Sequence, residues 1–203
     1  MVFASIGVIG SGPVGQALAR HASAAGFPVQ VSNTRGPLSL AGLVSELGPT
    51  ARAVKPRQAA LADLVIIAIP FVRIPELAAE IGDCSGRVVV DVTNQFATYQ
   101  PYSGYVDLGE QTGTEWVAAH LPGATMIKAF NAMFASYLRP DPRHPEGRQV
   151  VFFAGDDDGA STQFAAFVDR MGFAPVYIGG VRDGGRLLQL GGPLSGLHVL
   201  NQD

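Results

Sequence analysis

The segment Phe3-Ala4-Ser5-Ile6-Gly7-Val8-Ile9-Gly10-Ser11-Gly12-Pro13-Val14-Gly15 reads as an apolar strand, a tight glycine turn and the start of a helix. The helix runs from Pro13 to Ala25, is rich in alanine, and stops at Gly26. A second strand, Pro28 to Val31, follows, so strand, helix and strand fit within about 30 residues, the size of a βαβ unit. With 25 glycines in 203 residues, a chance G-x-G-x-x-G is easy to find. This one stands where a nucleotide turn must stand, after a strand and at the mouth of a helix. Gly10 makes the turn out of the strand, Gly12 lets a pyrophosphate approach the backbone, and Gly15 lets helix and sheet pack closely. The free N–H groups of the first turn and the helix dipole favour an anion, and Pro13 at that position sacrifices no bonded N–H.

The end of the second strand indicates which dinucleotide is bound. An NAD site places Asp or Glu about 20 residues after the glycines, on the ribose 2′-OH. Here the chain reads Ser32-Asn33-Thr34-Arg35-Gly36, with no carboxylate. Hydroxyls, an amide and a guanidinium suit a 2′-phosphate, which an acid would repel. The expected cofactor is therefore NADP(H), although ordinary turn chemistry before Gly36-Pro37 also accounts for Ser32 and Asn33.

Downstream, the pattern alternates strands and helices. A helix is expected over 40–47, a strand over 51–54, a short helix over 56–61, and a helix over 75–81. Asp63 to Pro70 and Gly86 to Val92 are nearly all apolar, as strands buried on both faces of a parallel sheet are. A helix over 114–121 capped by Thr114, a strand over 124–130, a polar loop over 139–148 and a strand over 149–154 come next. A helix opening on Asp156-Asp157-Asp158, a strand over 175–178 and a leucine-spaced tail (Leu187, Leu190, Leu194, Leu197) complete the chain. The three acids read as helix-capping charge rather than a metal site. The fold expected is a Rossmann-type, doubly wound, mainly parallel α/β sheet with C-terminal α/β additions. It forms one domain over 1–203, with 149–203 as an extension.

Ligands of such sheets bind at the carboxyl ends of the strands. That places Ile69, Pro70, Phe71, Asn94 and Asn131 beside the glycine turn as candidate cofactor contacts. Residues 97–114 form a loop over the crevice. Lys128 and His198 are the polar candidates for a second ligand. Phe71 is equally a core aromatic, and Asn94 equally a turn amide. No histidine has metal spacing or a nucleophile partner, and no catalytic constellation is expected.

Only 15% of residues are charged, well below the usual ~25%, which fits apolar surface covered by a second copy, so a homodimer is expected. The net charge of −3 with no basic block argues against nucleic acid. No apolar run reaches the ~20 residues of a membrane helix. The N-terminus lacks the basic start of a signal peptide. Cys84 is the only cysteine, so no internal disulfide forms, and a cytoplasmic location is expected.

The motifs Ile9-Gly10-Ser11-Gly12-Pro13-Val14-Gly15, Ser32-Asn33-Thr34-Arg35, Ala68-Ile69-Pro70, Lys128-Ala129-Phe130-Asn131, Ala154-Gly155-Asp156-Asp157 and Gly192-Pro193-Leu194 together resemble the coenzyme F420-dependent NADP oxidoreductase family. Pyrroline-5-carboxylate reductase and the cytosolic reductase domain of membrane metalloreductases are related. The resemblance implies hydride transfer between NADPH and the deazaflavin F420, with Ser11, Thr34 and Arg35 on the 2′-phosphate. It also implies a second ligand, F420 or a flavin, between the sheet edge and the C-terminal segment. Hydride transfer needs no protein acid or base, because the cofactors carry the chemistry. Two other readings remain open: an imine or carbonyl reductase, in which Lys128 or His198 protonates the product, and a non-catalytic NADP(H)-binding sensor.

Overall fold

The structure, a computed structural model, describes residues 3–202; residues 1, 2 and 203 of the expected domain lie outside the described residues. The first half runs β1 (Ile6–Ile9), α1 (Pro13–Ala24), β2 (Val29–Ser32), α2 (Ala41–Leu47), β3 (Ala51–Ala53), α3 (Pro56–Ala59), β4 (Leu64–Ile67), α4 (Ile74–Ile81) and β5 (Val88–Asp91). A two-stranded hairpin follows, β6 (Thr98–Tyr99) and β7 (Tyr102–Ser103), then α5 (Gly113–His120) and β8 (Thr125–Ala129). The last third adds α6 (Ala135–Leu138), β9 (Arg143–His144), β10 (Gly147–Gly155), α7 (Asp158–Arg170), β11 (Ala174–Tyr177), α8 (Asp183–Leu188) and β12 (Leu200–Asn201).

The main sheet has the order β11-β10-β8-β5-β4-β1-β2-β3. From β3 to β8 every pairing is parallel. The order reverses between β1 and β4, which opens the crevice at their carboxyl ends. Successive residues of a strand feed opposite faces. In β4, Leu64 and Ile66 join a core with Leu18 of α1 and Phe164 and Phe167 of α7. Val65 and Ile67 join a second core with Ala59, Leu77 and Val117 of α3, α4 and α5. Helices thus cover both faces, which is why these strands read as unbroken apolar runs. Each fully buried large side chain of this kind contributes about 1.5–3 kcal/mol.

The C-terminal third departs from a parallel continuation. β10 runs antiparallel to β8, pairing Ala154 with Lys128. The helix between them, α6, has four residues, too little for a crossover. A helix of the usual length, α7, then brings β11 parallel to β10. The expected loop over 139–148 contains the short strand β9 and the start of β10. The leucine-spaced tail is not one helical face. α8 ends at Leu188, the chain turns through Gly191-Gly192-Pro193, and Leu187 and Leu197 are exposed.

Thr114 does not cap α5. Thr112 does, accepting from Glu115 N–H while the Glu115 carboxylate accepts from Thr112 N–H, a reciprocal capping box. Asp157 caps α7 by accepting from Ala160 N–H at 2.7 Å, so this acid serves the helix as expected. Cys84 is buried, and burial pushes its thiol up, the mark of an inert filler. No helix among the described residues is long and apolar enough to cross a membrane.

Candidate functional site

The glycine turn is held from three sides. Gly10 takes φ +114°, donates its N–H to Ser32 O at 2.9 Å, and lies so close to β4 that a Cβ would fall 2.0 Å from Ala68 O. Gly15 approaches from α1, where a Cβ would fall 2.1 Å from Gly10 O. Gln16 ties the turn to the helix by donating its side-chain amide to Ser11 O at 2.8 Å. Gly12 differs: it is the N-cap of α1, it has no side-chain cap bond, and a Cβ there would meet nothing within 4 Å. The space before the helix N-terminus is therefore open, with the first-turn N–H groups facing it, as a pyrophosphate requires.

The end of β2 supplies polar groups and no carboxylate. Asn33 braces the two segments, donating its side-chain amide to Ser11 Oγ at 3.0 Å and accepting from Arg35 N–H at 3.0 Å. Thr34 and Arg35 are exposed, and Thr34 lines the adjoining cavity while Arg35 does not. Ser32 turns away from it. It is fully buried, and its hydroxyl faces Val8 O inside the sheet at 3.4 Å.

The cavity has a volume of about 420 Å³ and lies over the carboxyl ends of β1, β2 and β4. Gly10, Ser11, Gly12, Asn33 and Thr34 form one wall, and Ala68, Ile69 and Pro70 form the floor beside them. Arg73, Glu76, Leu77 and Glu80 enter from α4 and its approach, with Arg73 paired to Glu76 at 2.8 Å. The expected loop over the crevice contains the β6–β7 hairpin, whose Tyr99, Gln100 and Tyr102 line the cavity from above. Sequence reasoning did not single out Arg73, Leu77 or these hairpin side chains.

Beyond β4 the strand ends carry a second arrangement. Asn94 donates its side-chain amide to Asn131 O at 3.1 Å, and Asn131 donates to Asn94 Oδ1 at 3.1 Å and to Leu188 O at 2.8 Å. The pair thus joins the ends of β5 and β8 to the C-terminal segment. Asn131 Oδ1 is buried without a protein partner. The residue before it, Phe130, holds φ +61°, a left-handed conformation that costs a non-glycine residue about 1–2 kcal/mol. Such strain concentrates at functional edges.

Besides Ser32, three further candidates sit elsewhere than expected. Phe71 does not line the crevice. It is buried, with its ring 4.5 Å from that of Trp116, because the turn after Pro70 directs it into the second core. Lys128 does not line the cavity: it is buried and its ammonium lies 3.0 Å from Asp91. Burial pulls its pKa below the usual lysine range, against the opposing pull of the Asp91 carboxylate. Asp91 also accepts from Thr93 N–H at 2.8 Å, Thr93 Oγ1 at 2.7 Å and Thr114 Oγ1 at 2.8 Å. Lys128 donates in addition to Thr93 O. His198 stacks flat on Tyr137, 4.4 Å between centroids, away from the cavity. The signal for the buried cluster was present in the sequence: a carboxylate ending the run Val88-Val89-Val90-Asp91 needs a partner. Among the described residues no three His, Cys, Asp or Glu side chains gather as metal ligands.

A mainly parallel sheet with this glycine turn at its switch point is a Rossmann-type fold. Residues 5–95 match the family described as NADP oxidoreductase, coenzyme F420-dependent. The structure is similar to that of a hypothetical protein of Sinorhizobium meliloti, with TM-score 0.90 and 36% identity, covering 99% of this chain and 96% of that one. It also resembles an F420-dependent NADP-reductase candidate from Arthrobacter sp. FB24, with TM-score 0.73 and 22% identity over 87% of this chain and 85% of the other. An imine reductase of Myxococcus stipitatus in complex with NADP+ shares the fold, with TM-score 0.61 and 16% identity over 86% of this chain and 55% of its own. In sequence the chain is 27% identical over 174 residues to the rat metalloreductase STEAP3, covering 86% of this chain. The chain spans about a third, 33%, of that curated relative's length.

Proposed function

We propose that this protein transfers hydride between NADPH and a flavin-like or deazaflavin acceptor such as F420. The observation that carries the cofactor half is the β2 end, where Asn33, Thr34 and Arg35 stand beside an open helix N-terminus and no carboxylate competes for the 2′-phosphate. In this reading the glycine turn and α1 hold the pyrophosphate. Ser11, Thr34 and Arg35 hold the 2′-phosphate, with Ser11 set by Asn33. The cradle fits the group, because of the three motif glycines only Gly12 would carry a Cβ unopposed, and it is the position the pyrophosphate must approach.

Bound NADPH supplies the hydride, so the chain's work is to orient two rings and exclude water. The acceptor lies toward the Asn94–Asn131 pair and the C-terminal segment, and the family description supports F420 in that role. The imine or carbonyl reductase reading loses its two named proton donors, since Lys128 is buried against Asp91 and His198 stacks on Tyr137.

The test follows absorbance while NADPH-loaded protein meets F420, FMN, FAD and riboflavin in turn. Oxidation by F420 or by a flavin is expected, and tight binding with no turnover of any acceptor would place the sensor reading first. Arg35→Ala should weaken NADPH binding about ten- to a hundredfold, the range of charge-assisted hydrogen bonds, and leave NADH nearly unchanged. Equal losses for both cofactors would remove Arg35 from the phosphate site.

A further inference from the structure

We propose that the β6–β7 hairpin is the roof of the dinucleotide cleft and that Tyr99 and Tyr102 are its adenine-binding residues, an inference that rests on the NADP(H) reading above.

The hairpin is tied at both its root and its tip. At its root Gln95 is buried, accepts Val106 N–H on its carbonyl at 2.9 Å, and accepts the Tyr105 hydroxyl on Oε1 at 2.7 Å. At its tip Thr98 Oγ1 donates to Pro101 O at 2.7 Å, closing the turn. A two-stranded ribbon has no core of its own and gains little stability alone. Yet this one carries large rings: Tyr99 is 37% exposed and Tyr102 62% exposed. Tyr99 and Tyr102 are directly paired across the ribbon, so their side chains project from the same face. Both line the cavity that the glycine turn also lines. Phe96 packs behind Tyr102 at 5.1 Å and sets that ring without covering it.

The position within the cleft selects the ligand moiety. In a doubly wound sheet the end of β2 meets the adenosine ribose. The hairpin shares its cavity with Asn33 and Thr34 from that end, and with the apolar side chains of Pro56 and Leu77. It does not share it with Asn94 or Asn131, which stand toward the acceptor end. A planar base attached to the ribose at Thr34 would meet these apolar groups and the two tyrosines. Aromatic side chains stack on any base, and such contacts are worth about ten- to a hundredfold in affinity.

Titration calorimetry on the full chain separates the outcomes, using NADPH, NADH and adenosine 2′,5′-bisphosphate as ligands. The Tyr99→Ala/Tyr102→Ala variant should melt with the parent and lose about ten- to a hundredfold for all three ligands alike. Tyr99→Phe/Tyr102→Phe should bind within about threefold of the parent, because the stacking faces remain. The equal loss for NADPH and NADH distinguishes the hairpin from Arg35, whose removal affects NADPH alone. Unchanged binding of the bisphosphate in the alanine variant overturns the assignment, as does a loss confined to the two full dinucleotides. A parent protein that binds none of the three would sink the NADP(H) reading itself, and the hairpin assignment with it.

Discussion

Gly12→Ala is expected to lose NADPH affinity by about a hundredfold, about 2.8 kcal/mol, while unfolding within about 1 kcal/mol of the parent. Gly10→Ala is expected to lose stability first, by about 3 kcal/mol or more. The two glycines are two residues apart and belong to the same motif, but their surroundings are opposite. A Cβ on Gly10 would fall 2.0 Å from the Ala68 carbonyl oxygen, on a backbone at φ +114° that side-chain-bearing residues rarely adopt. To admit it, the turn must separate from the end of β4, and the sheet opens at its switch point. A Cβ on Gly12 meets no protein atom within 4 Å, and its φ of −72° suits alanine, so the apo fold accepts the change at the cost of a weaker cap. What the methyl obstructs is the approach of a pyrophosphate to the first-turn N–H groups. Urea unfolding and NADPH fluorescence titration on both variants give a two-by-two result. Equal stability loss in both would show that Gly12 serves the fold, and undiminished NADPH affinity in Gly12→Ala would remove the pyrophosphate from that position.

How much of this was legible in the sequence follows from how local each determinant is. The first βαβ unit was readable because strand, turn and helix are encoded within about thirty contiguous residues, each glycine acting on its immediate neighbours. The strands buried on both faces were equally legible, since continuous apolar runs have few other uses. Direction was not. β10 reads as a strand, but that it opposes β8 depends on the chain between them lacking a crossover helix, and 135–138 is too short to supply one. The cap of α5 is legible in principle: Thr112 and Glu115 have capping-box spacing, although Thr114 stands nearer the apolar run.

The site residues divide in the same way. Ser11, Gly12 and Thr34 are where backbone geometry alone puts them. Phe71 and Lys128 were displaced by long-range partners, Trp116 for one and Asp91 for the other, and neither pairing leaves a trace in the local pattern. The hairpin was hidden because strands of two residues have no periodicity, and Pro101 in its turn reads as a loop signal. Its tyrosines carry meaning only once the fold returns them to a cavity begun some ninety residues earlier.

Severing the buried Asp91–Lys128 pair is expected to cost the most stability of any change at the site, about 3 kcal/mol for Lys128→Met and nearer 5 kcal/mol for Asp91→Leu. The asymmetry follows from the bonding. Without Lys128, the Asp91 carboxylate still accepts from Thr93 N–H, Thr93 Oγ1 and Thr114 Oγ1. Without Asp91, those three donors lose their acceptor together, and the ammonium keeps only Thr93 O. The double variant should recover part of the loss, since it leaves no unpaired charge, and a double-mutant cycle in urea reads the coupling directly. Asp91→Leu carries a pH signature as well. Burial already depresses the Lys128 pKa, and removing the carboxylate removes the influence that opposes the depression. Below the unfolded value of about 10.4 the unfolded chain then binds more protons than the folded one, so stability rises with pH. The gap between Asp91→Leu and the parent should therefore narrow from pH 7 to pH 9.5. Because Lys128 and Asp91 both hold Thr93, one residue before Asn94 and two before the root of the hairpin, the single variants should also weaken NADPH binding well below their melting temperatures. Strictly additive losses in the double variant, with no pH dependence in Asp91→Leu, would reduce the pair to two independent buried polar groups and detach it from the site above it.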